Sequence, residues 1–384
     1  MRFSNPVLRS LGGLLVAGVL VVGCSEQRAT STISKTQESV QQLEALQAGN
    51  YAPTEFDSVK NLLNQANQQL AGGQGGEALA TAKNARQQAE GLLAQIRPQA
   101  ANDARFAALR ALEVADRNNG RSLDPALYDA TTALRGEMET ALNKSQFEET
   151  ITKAREISSS VNRLVAPLKN KAESARINAE NKLQELRSLN AARWAPKAEA
   201  TALRLVESGM AAMGEETRDF ISAEQRFLEA RAEAEAGITL VRRERSDFFI
   251  DVIERALADA FEEGAPTYMP TEYNRMVSEL ERQIADFNNE LYEQVEAAVV
   301  PMADRASQLK LDVKERRSDA NLTEIRRGID TLVEAGAREY LPGRVEVVEQ
   351  VLAEGQRIRS VPVGTPADQR EQAFDEIRRL HQRA

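Results

Sequence analysis

Residues 51–53 read Tyr51-Ala52-Pro53, and four further tripeptides of the chain also place a proline two positions after a large residue. They are Leu123-Asp124-Pro125, Trp194-Ala195-Pro196, Tyr268-Met269-Pro270 and Tyr340-Leu341-Pro342. The five prolines are separated by 72, 71, 74 and 72 residues in a chain of 384 residues that contains only twelve prolines. Nearly equal intervals of this kind indicate an internal repeat.

The residues around each proline predict the start of a helix. Proline suits the first helical turn, where its missing N–H group would be unpaired anyway, and the large residue ahead of it suits a hydrophobic staple on the following turn. Apolar residues then follow at alternating steps of three and four, as in Phe56, Val59, Leu63, Ala66 and Leu70, and in Tyr273, Val277, Leu280, Ile284 and Phe287. This heptad spacing is typical of the seam of a helical bundle.

A short break and a longer helical run complete each repeat. The breaks lie at Gly72–Gly76, Asn143-Lys144, Gly214 and Asn288-Asn289. The run that follows has a seam of Ala78, Ala82, Ala85, Ala89, Leu92 and Ile96 in the first repeat, and of Phe220, Ala223, Phe227, Ala230 and Ala234 in the third. Pro98, Pro167 and Pro301 are expected to kink these long helices rather than end them.

Each long run holds about 50 residues, which at 1.5 Å per residue is about 75 Å of helix. A helix of that length exceeds a short partner of about 18 residues, so we expect its two halves to serve successive bundles. The sequence therefore predicts an all-α protein, an elongated tandem array of about five three-helix bundles joined by long shared helices. No segment alternates as a strand would.

The predicted bundles are 36–97, 98–166, 167–240, 241–312 and 313–384, and a helix over Thr36–Gln47 completes the first one. At about 30–35 Å for each bundle, the array would extend on the order of 150 Å. The connectivity resembles that of spectrin-type arrays by analogy only. Heptad seams leave open whether bundles also pair between chains as a homo-oligomer.

The first 23 residues have the pattern of a signal peptide. Arg2 and Arg9 are their only charges, and the twelve apolar residues 11–22 are too few to span a bilayer as a helix.

The apolar run ends in Val21-Val22-Gly23-Cys24, which resembles the lipobox of bacterial lipoprotein precursors. The resemblance implies cleavage before Cys24, a diacylglycerol thioether on its sulfur and a further acyl chain on its new amine, and several acyl chains anchor stably. The alternative is a chance cysteine behind an ordinary secretory signal.

Residue Ser25 follows the cysteine where aspartate would favour retention in the inner membrane. By the same resemblance, we expect an outer-membrane lipoprotein that faces the periplasm, with the inner membrane as the alternative. Residues 24–35 are mostly small and polar and are predicted to form the lipid anchor and a flexible tether.

A second resemblance is local to the first repeat. Residues 48–55, Ala-Gly-Asn-Tyr-Ala-Pro-Thr-Glu, and the Leu- and Ala-rich helices behind them look like bacterial envelope lipoprotein families built on a Tyr-Ala-Pro-x-Glu helix start. The likeness covers some 60 residues. Later repeats depart from it, since Glu272 retains the acid whereas Ala198 and Arg344 replace it. These families carry no assigned activity, so the resemblance bears on architecture and location.

Composition excludes several kinds of catalytic and metal site. One cysteine and one histidine cannot supply a disulfide framework or a Cys/His zinc site. A triad would need His381, which suits a solvated cation at a helix C-terminus better. Gly72–Gly76 lacks the strand and the Gly-Lys-Ser/Thr ending of a phosphate loop, and indicates a hairpin.

Four other features are candidates for chemistry. Glu215-Glu216 and Glu262-Glu263 are adjacent pairs that do not converge on one helix face, and no Glu-x-x-His motif exists for a di-iron bundle. The run Arg242-Arg243-Glu244-Arg245 suits a lipid or partner contact or, more simply, a solvated face. Trp194, the only tryptophan, is predicted to be a packing residue.

No residue is assigned to catalysis, to a cofactor or to a metal, and Cys24 is the one assigned site. Loss of the signal peptide removes two of 49 basic residues against 58 acidic ones, so the mature net charge of −11 disfavours nucleic acids. We expect a non-enzymatic, lipid-anchored periplasmic scaffold or spacer with an envelope-protein or cell-wall partner. Alternatives are a helical-repeat module that binds a protein or peptidoglycan, an accessory subunit of an envelope complex, or carboxylate-only glycan cleavage, which needs just two acids.

Overall fold

The computed structural model describes the backbone of residues 10–362 and 364–384 and the side chains of residues 25–362 and 364–384. Within these ranges the chain forms sixteen α-helices and no strand, which confirms the all-α class. By its internal contacts the chain divides into two compact units. The first comprises Met1–Glu173 and Met210–Glu224, and the second Ser174–Gly209 and Gln225–Ala384.

After helix α1, one order of three helices recurs five times: a four-residue helix, a helix that begins at a repeat proline, and a further helix. The bounds are α1 Ser10–Ala45; α2 Ala48–Tyr51, α3 Pro53–Ala71 and α4 Gly75–Arg117; α5 Gly120–Leu123, α6 Pro125–Asn143 and α7 Phe147–Ser188; α8 Ala191–Trp194, α9 Pro196–Met213 and α10 Phe220–Glu262; α11 Ala265–Tyr268, α12 Pro270–Asn288 and α13 Tyr292–Glu334; α14 Ala337–Tyr340, α15 Pro342–Arg359 and α16 Ala367–Arg383. All five repeat prolines therefore start helices, as predicted.

The chain reverses at the start of each repeat through one shared backbone geometry. The residue before each four-residue helix is left-handed, with φ between 53° and 94°: Gln47, Asn119, Asn190, Gly264 and Gly336. The residue before each proline has a φ between −140° and −149°, with ψ between 52° and 92°. Proline imposes this on its predecessor, and glycine and asparagine tolerate the left-handed region best.

The residue directly after the left-handed one is always small. In the first four repeats this residue is buried: Ala48, Gly120, Ala191 and Ala265. A Cβ on Gly120 would lie 2.8 Å from Leu164 Cδ2 and 2.9 Å from Ala115 O, so the packing leaves no space for one. The proline tripeptide is thus the second half of a seven-residue junction whose first half the sequence analysis did not identify.

The first three-helix group consists of α1, α3 and the first half of α4. Its core contains the predicted residues Phe56, Val59, Leu63, Ala66, Ala82, Ala89, Leu92 and Ile96, with Leu70 half-buried beside them. Ala78 and Ala85 of the same predicted seam are fully buried. Alanine on the seam lets helix axes approach closely while it favours the helix intrinsically.

The same composition of a group recurs in the second unit. The end of α10, α12 and the start of α13 share one core, and the later part of α13 shares another with α15 and α16. Each group therefore combines a long helix, a proline-started helix and the next helix, as expected. The tandem array of five bundles and the boundaries assigned to them stay predictions.

The predicted flexible tether differs from the structure. Helix α1 begins at Ser10, and its residues Ala29, Ile33 and Thr36 are buried. With Val40 and Leu43 they continue a heptad seam, and the Thr36 hydroxyl lies 3.3 Å from the carbonyl oxygen of Ala82 on α4. Small side chains look like a linker in the sequence, yet here their size lets α1 pack closely on the alanine seam of α4. Residues 1–9 of the predicted signal peptide and the side chain of Cys24 lie outside the described residues.

Two further expectations are refined. The long helices are 42 or 43 residues rather than about 50, and Pro98, Pro167 and Pro301 lie inside them as predicted. In α12 the buried positions are Met276, Leu280 and Gln283. The predicted Tyr273, Val277, Ile284 and Phe287 lie half-buried on either side, because the apolar face of this helix is wider than one heptad seam.

Two helix glycines provide a test of close packing. A Cβ on Gly209 of α9 would lie 2.6 Å from Cε1 of Phe227, which is fully buried, whereas nothing lies within 4 Å of one on the exposed Gly136 of α6. We expect Gly209→Ala to lower the free energy of unfolding by about 2 kcal/mol through overpacking. The control Gly136→Ala should raise it by about 1 kcal/mol because alanine favours the helix. Urea unfolding followed by circular dichroism measures both, and equal effects of the two substitutions would contradict this packing.

Candidate functional site

The glycine run Gly72–Gly76 forms the hairpin turn between α3 and α4, as the sequence predicts. Gly73 has a φ of 75°, and the amides of Gly72, Gly73 and Gln74 donate to the carbonyls of Gln68, Leu70 and Gln69. Gly75, the first residue of α4, packs against Ser25 and Glu26 of α1. This turn therefore lies beside the residues that directly follow Cys24.

The lone histidine and the basic run both engage acidic side chains of the second unit. His381 Nε2 lies 3.1 Å from Glu324 Oε2, and its side chain is 30% exposed. Arg242 forms a bidentate pair with Glu293 at 2.9 and 3.0 Å, and Arg245 lies 2.5 Å from Glu296. The basic run therefore connects α10 to α13, a role that neither sequence-based interpretation included.

The indole of Trp194 packs on the next long helix, which confirms its structural role. Its ring lies 5.6 Å from that of Phe248 on α10 in an edge-to-face arrangement, and the Arg193 guanidinium lies 4.5 Å from the indole centroid. Tyr51 likewise donates from its hydroxyl to Asp103 Oδ2 at 2.8 Å. Trp194 and Tyr51 thus reach another helix, whereas Leu123 and Tyr340 at the same place are exposed.

The two acidic pairs have different surroundings. Glu215 and Glu216 line a groove in the first unit. Glu263 pairs with buried cations in an ion cluster, whereas Glu262 is exposed. Among the described residues, no three His, Cys, Asp or Glu side chains are placed to hold a metal ion. The same residues include no helix both long and apolar enough to cross a bilayer.

The most buried charges of the second unit form a cluster between α10, α13 and α16. We call Glu263, Lys314, Arg317, Glu371 and Asp375 the α13 ion cluster. The Lys314 side chain is 4% exposed, and its Nζ lies 2.7 Å from Glu371 Oε1 and 2.9 Å from Asp375 Oδ2. The Arg317 side chain is 8% exposed, and its Nη1 lies 2.5 Å from Glu263 Oε2.

The cluster shifts the pKa values of three of its members, Glu263, Glu371 and Lys314. Burial alone would raise the pKa of Glu263, but hydrogen bonds and positive charge from Arg317 and Lys314 outweigh it and hold that pKa below the ordinary 4.5. The hydrogen bond from Lys314 lowers the pKa of Glu371 in the same direction. Burial alone would lower the pKa of Lys314, but hydrogen bonds to Glu371 and Asp375 outweigh it and raise that pKa above 10.5. All these groups are therefore ionised near neutral pH.

The ion cluster was not found from the sequence because its members are distant in the chain. Glu263 directly follows α10, Lys314 and Arg317 lie in the middle of α13, and Glu371 and Asp375 lie on α16. The one available signal is a pair of cations three residues apart on a helix, and such a pair is common on solvated helix faces. The short distances between three carboxylates and two cations favour a structural role over binding of a further ion.

A polar groove in the first unit is the second candidate. Its volume is about 630 Å³, and three arginines and three glutamates line it: Arg110, Arg117, Arg218, Glu113, Glu215 and Glu216. One wall is the loop 214–219, which has six residues where the turns at 72–74, 144–146 and 289–291 have three. The added length brings loop backbone over the end of α4.

The buried side chain of Asn118 holds this loop in place. Its Nδ2 donates to the carbonyls of Val114 at 2.8 Å and Arg218 at 2.7 Å, and its Oδ1 accepts from the amide of Phe220 at 2.8 Å. Arg117 also donates to the carbonyl of Thr217, and Arg218 Nη2 donates to Asn162 Oδ1 at 2.8 Å. The groove is thus built by specific hydrogen bonds and presents both signs of charge.

Net charge is uneven along the chain. Residues 241–312 hold 16 acidic and 8 basic side chains, whereas residues 313–384 hold 13 of each. Most of the net negative charge of the protein therefore lies in the region of α10, α12 and α13.

Comparison of the chain with models of protein families, with curated proteins and with solved structures finds no match.

The ion cluster predicts a specific loss of stability. We expect Arg317→Met to lower the opening free energy of α16 by about 3 kcal/mol at neutral pH, because Asp375 of α16 loses a cation 3.6 Å away and Glu263 loses its closest cation in a mostly buried site. Hydrogen exchange of the amides of α16 measures this locally. The exposed neighbour Arg316 supplies the control, since Arg316→Met should change the same quantity by less than about 0.5 kcal/mol.

The pH dependence of exchange distinguishes a charge effect from a packing effect. Because the pKa values of Glu263 and Glu371 are lowered on folding, their contribution is complete above pH 4.5 and is lost as the pH falls through the lowered values. Protection of α16 should therefore decline in acid, and decline less in Arg317→Met. An equal acid decline in both proteins would contradict the assignment.

Proposed function

We propose that this chain is a lipid-anchored, non-enzymatic scaffold or spacer of the bacterial cell envelope, attached through Cys24 to the outer membrane and facing the periplasm. The observation that carries the proposal is one helical unit repeated five times directly behind a lipobox-like Val-Val-Gly-Cys. Repeats of this kind add helix surface in proportion to chain length. Such a surface suits the holding of partners at a membrane.

Physical chemistry supports the anchor. Diacylglycerol and a further acyl chain on one residue give stable attachment, whereas a single chain is marginal. The acidic net charge of the mature chain would not attract the protein to anionic lipids. Covalent lipid is therefore the means by which we propose that the protein attaches to the membrane. The assignment of scaffold rests on the repeat, because the α13 ion cluster has its partners within the fold.

Substitution at the cysteine tests the anchor. We expect the unaltered protein to carry a mass increase from acyl chains on Cys24 and to enter the detergent phase on partitioning, since the acyl chains are its only predicted lipid contact inside the bilayer. Cys24→Ser should carry no acyl mass and remain in the aqueous phase. The matched variant Ser25→Asp should still be acylated but move from the outer to the inner membrane fraction. Detergent partition of Cys24→Ser equal to that of the unaltered protein would refute attachment at this residue.

Proximity labelling tests the scaffold. A biotin ligase fused after Ala384 should label a reproducible set of envelope proteins from the anchored protein. The control carries the same ligase directly behind residues 1–35, so that it shares the anchor but lacks the repeats. Labelling that is enriched over this control supports a scaffold, whereas identical labelling by both proteins contradicts it.

The polar groove of the first unit favours a second candidate, a helical-repeat module that binds a protein or peptidoglycan. Its three guanidinium groups beside three carboxylates suit a ligand that carries both charges, such as a peptide. Arg110→Glu alters an exposed side chain of the groove without touching the bonds of Asn118. Loss of a labelled partner from this variant alone would favour the binding module, and unchanged labelling would favour the scaffold.

A further inference from the structure

The end of the first three-helix group that lies next to Cys24 has an unusual close contact. A Cβ on Gly75 would lie 2.7 Å from Glu26 Cγ, 3.0 Å from Ser25 Oγ and 3.1 Å from the Glu26 amide nitrogen. A side chain at this position would require Ser25 and Glu26 to shift. The hairpin turn Gly72–Gln74 and residues Ser25–Glu26 therefore form one continuous end of the group, which we call the Gly72 edge.

Little chain separates Cys24 from the folded part of the group. Ala29 is fully buried five residues after Cys24. Five residues span about 7.5 Å as a helix and at most about 18 Å when fully extended. A lipid on Cys24 would thus hold the Gly72 edge within that distance of the bilayer, with no long linker to let the group turn away.

The turn of the Gly72 edge carries no charge of its own. No charged residue occurs between positions 61 and 76, and Gln74 is exposed at the tip of the turn, while Glu26 of α1 and Glu77 of α4 lie beside it. The turns at the corresponding places of the next three repeats carry charges: Lys144, then Glu215, Glu216, Arg218 and Asp219, then Glu290. Anionic headgroups repel acidic loops, whereas glutamine amides and free backbone groups can hydrogen-bond to phosphate and glycerol oxygens.

We infer that the Gly72 edge is the surface on which the anchored protein rests against lipid headgroups. The inference rests on the proposed lipidation of Cys24 and adds the side of the fold that faces the bilayer. The first three-helix group is then oriented by two contacts, the covalent lipid and the uncharged turn.

The single cysteine of the chain makes this testable. In the lipidated protein the Cys24 sulfur is a thioether, so Gln74→Cys introduces the only free thiol. The protein is reconstituted into vesicles of phosphatidylethanolamine and phosphatidylglycerol and treated with a bulky, membrane-impermeant maleimide. We expect the thiol at position 74 to react several-fold more slowly in vesicles than in detergent, because the bilayer shields it.

The control places the thiol at the opposite end of the same group. Asn50 is exposed just before α3, whose 19 residues separate the two positions by about 28 Å. Asn50→Cys should react equally fast in vesicles and in detergent. Shielding of both positions, or of neither, in protein that floats with the vesicles would overturn the inference while the anchor stands.

Flotation distinguishes the two proposals. Protein that fails to float and retains an unmodified Cys24 thiol by mass would overturn the proposed anchor and this inference together. Protein that floats, with position 74 shielded and position 50 accessible, supports both.

Discussion

The steric requirement at each chain reversal is the constraint on which the structure depends. A long helix can return as an antiparallel partner only if one residue takes the left-handed conformation and the next is small enough to lie against the neighbouring helix. Gly120 shows how strict the second condition is, because a Cβ there would meet both a leucine side chain and a backbone carbonyl. The proline and the residue before it, whose φ lies between −140° and −149°, then start the returning helix in a fixed direction.

Between the junctions, alanines and large apolar residues share the packing. Alanines on α4, α7 and α10 are buried beside leucine, isoleucine and valine, and large side chains such as Phe227 fill the space opposite glycines. Alanine on a seam lets helices approach closely. The ion cluster on α13 differs from this pattern. Its buried Lys314 and Arg317 require acidic partners from two other helices, and this requirement makes the arrangement of α10, α13 and α16 specific.

The proposed role in the envelope depends on the end of the first group. Because α1 packs on α4 almost from Cys24 onward, an acyl anchor would orient the group as well as retain it. The uncharged turn at this end and the charged turns of the next repeats have the same place in the repeat but different chemistry. The position of this turn beside Cys24, together with that difference, is the reason to assign contact with the bilayer to it.

The sequence alone determined the helical class, the five helix starts and most of the seams, because proline position and heptad spacing are local properties of the chain. It also carried the lipobox-like motif, which involves only four adjacent residues. The left-handed residues of the junctions were harder to find, since glutamine, asparagine and glycine all occupy that position. Residues 25–35 were misassigned because alanine, serine and threonine suit a linker and a close helix contact equally well.

Only the tertiary structure decided which distant side chains meet. The sequence shows Glu263, Arg317 and Asp375 as ordinary charges on separate helices, and Asn118 as one more polar residue at a helix end. Their burial and pairing depend on the register between helices, which is set by packing along entire seams rather than by any one segment. The contact between Gly75 and Ser25 has the same origin, and with it the choice of the edge that we place against the membrane.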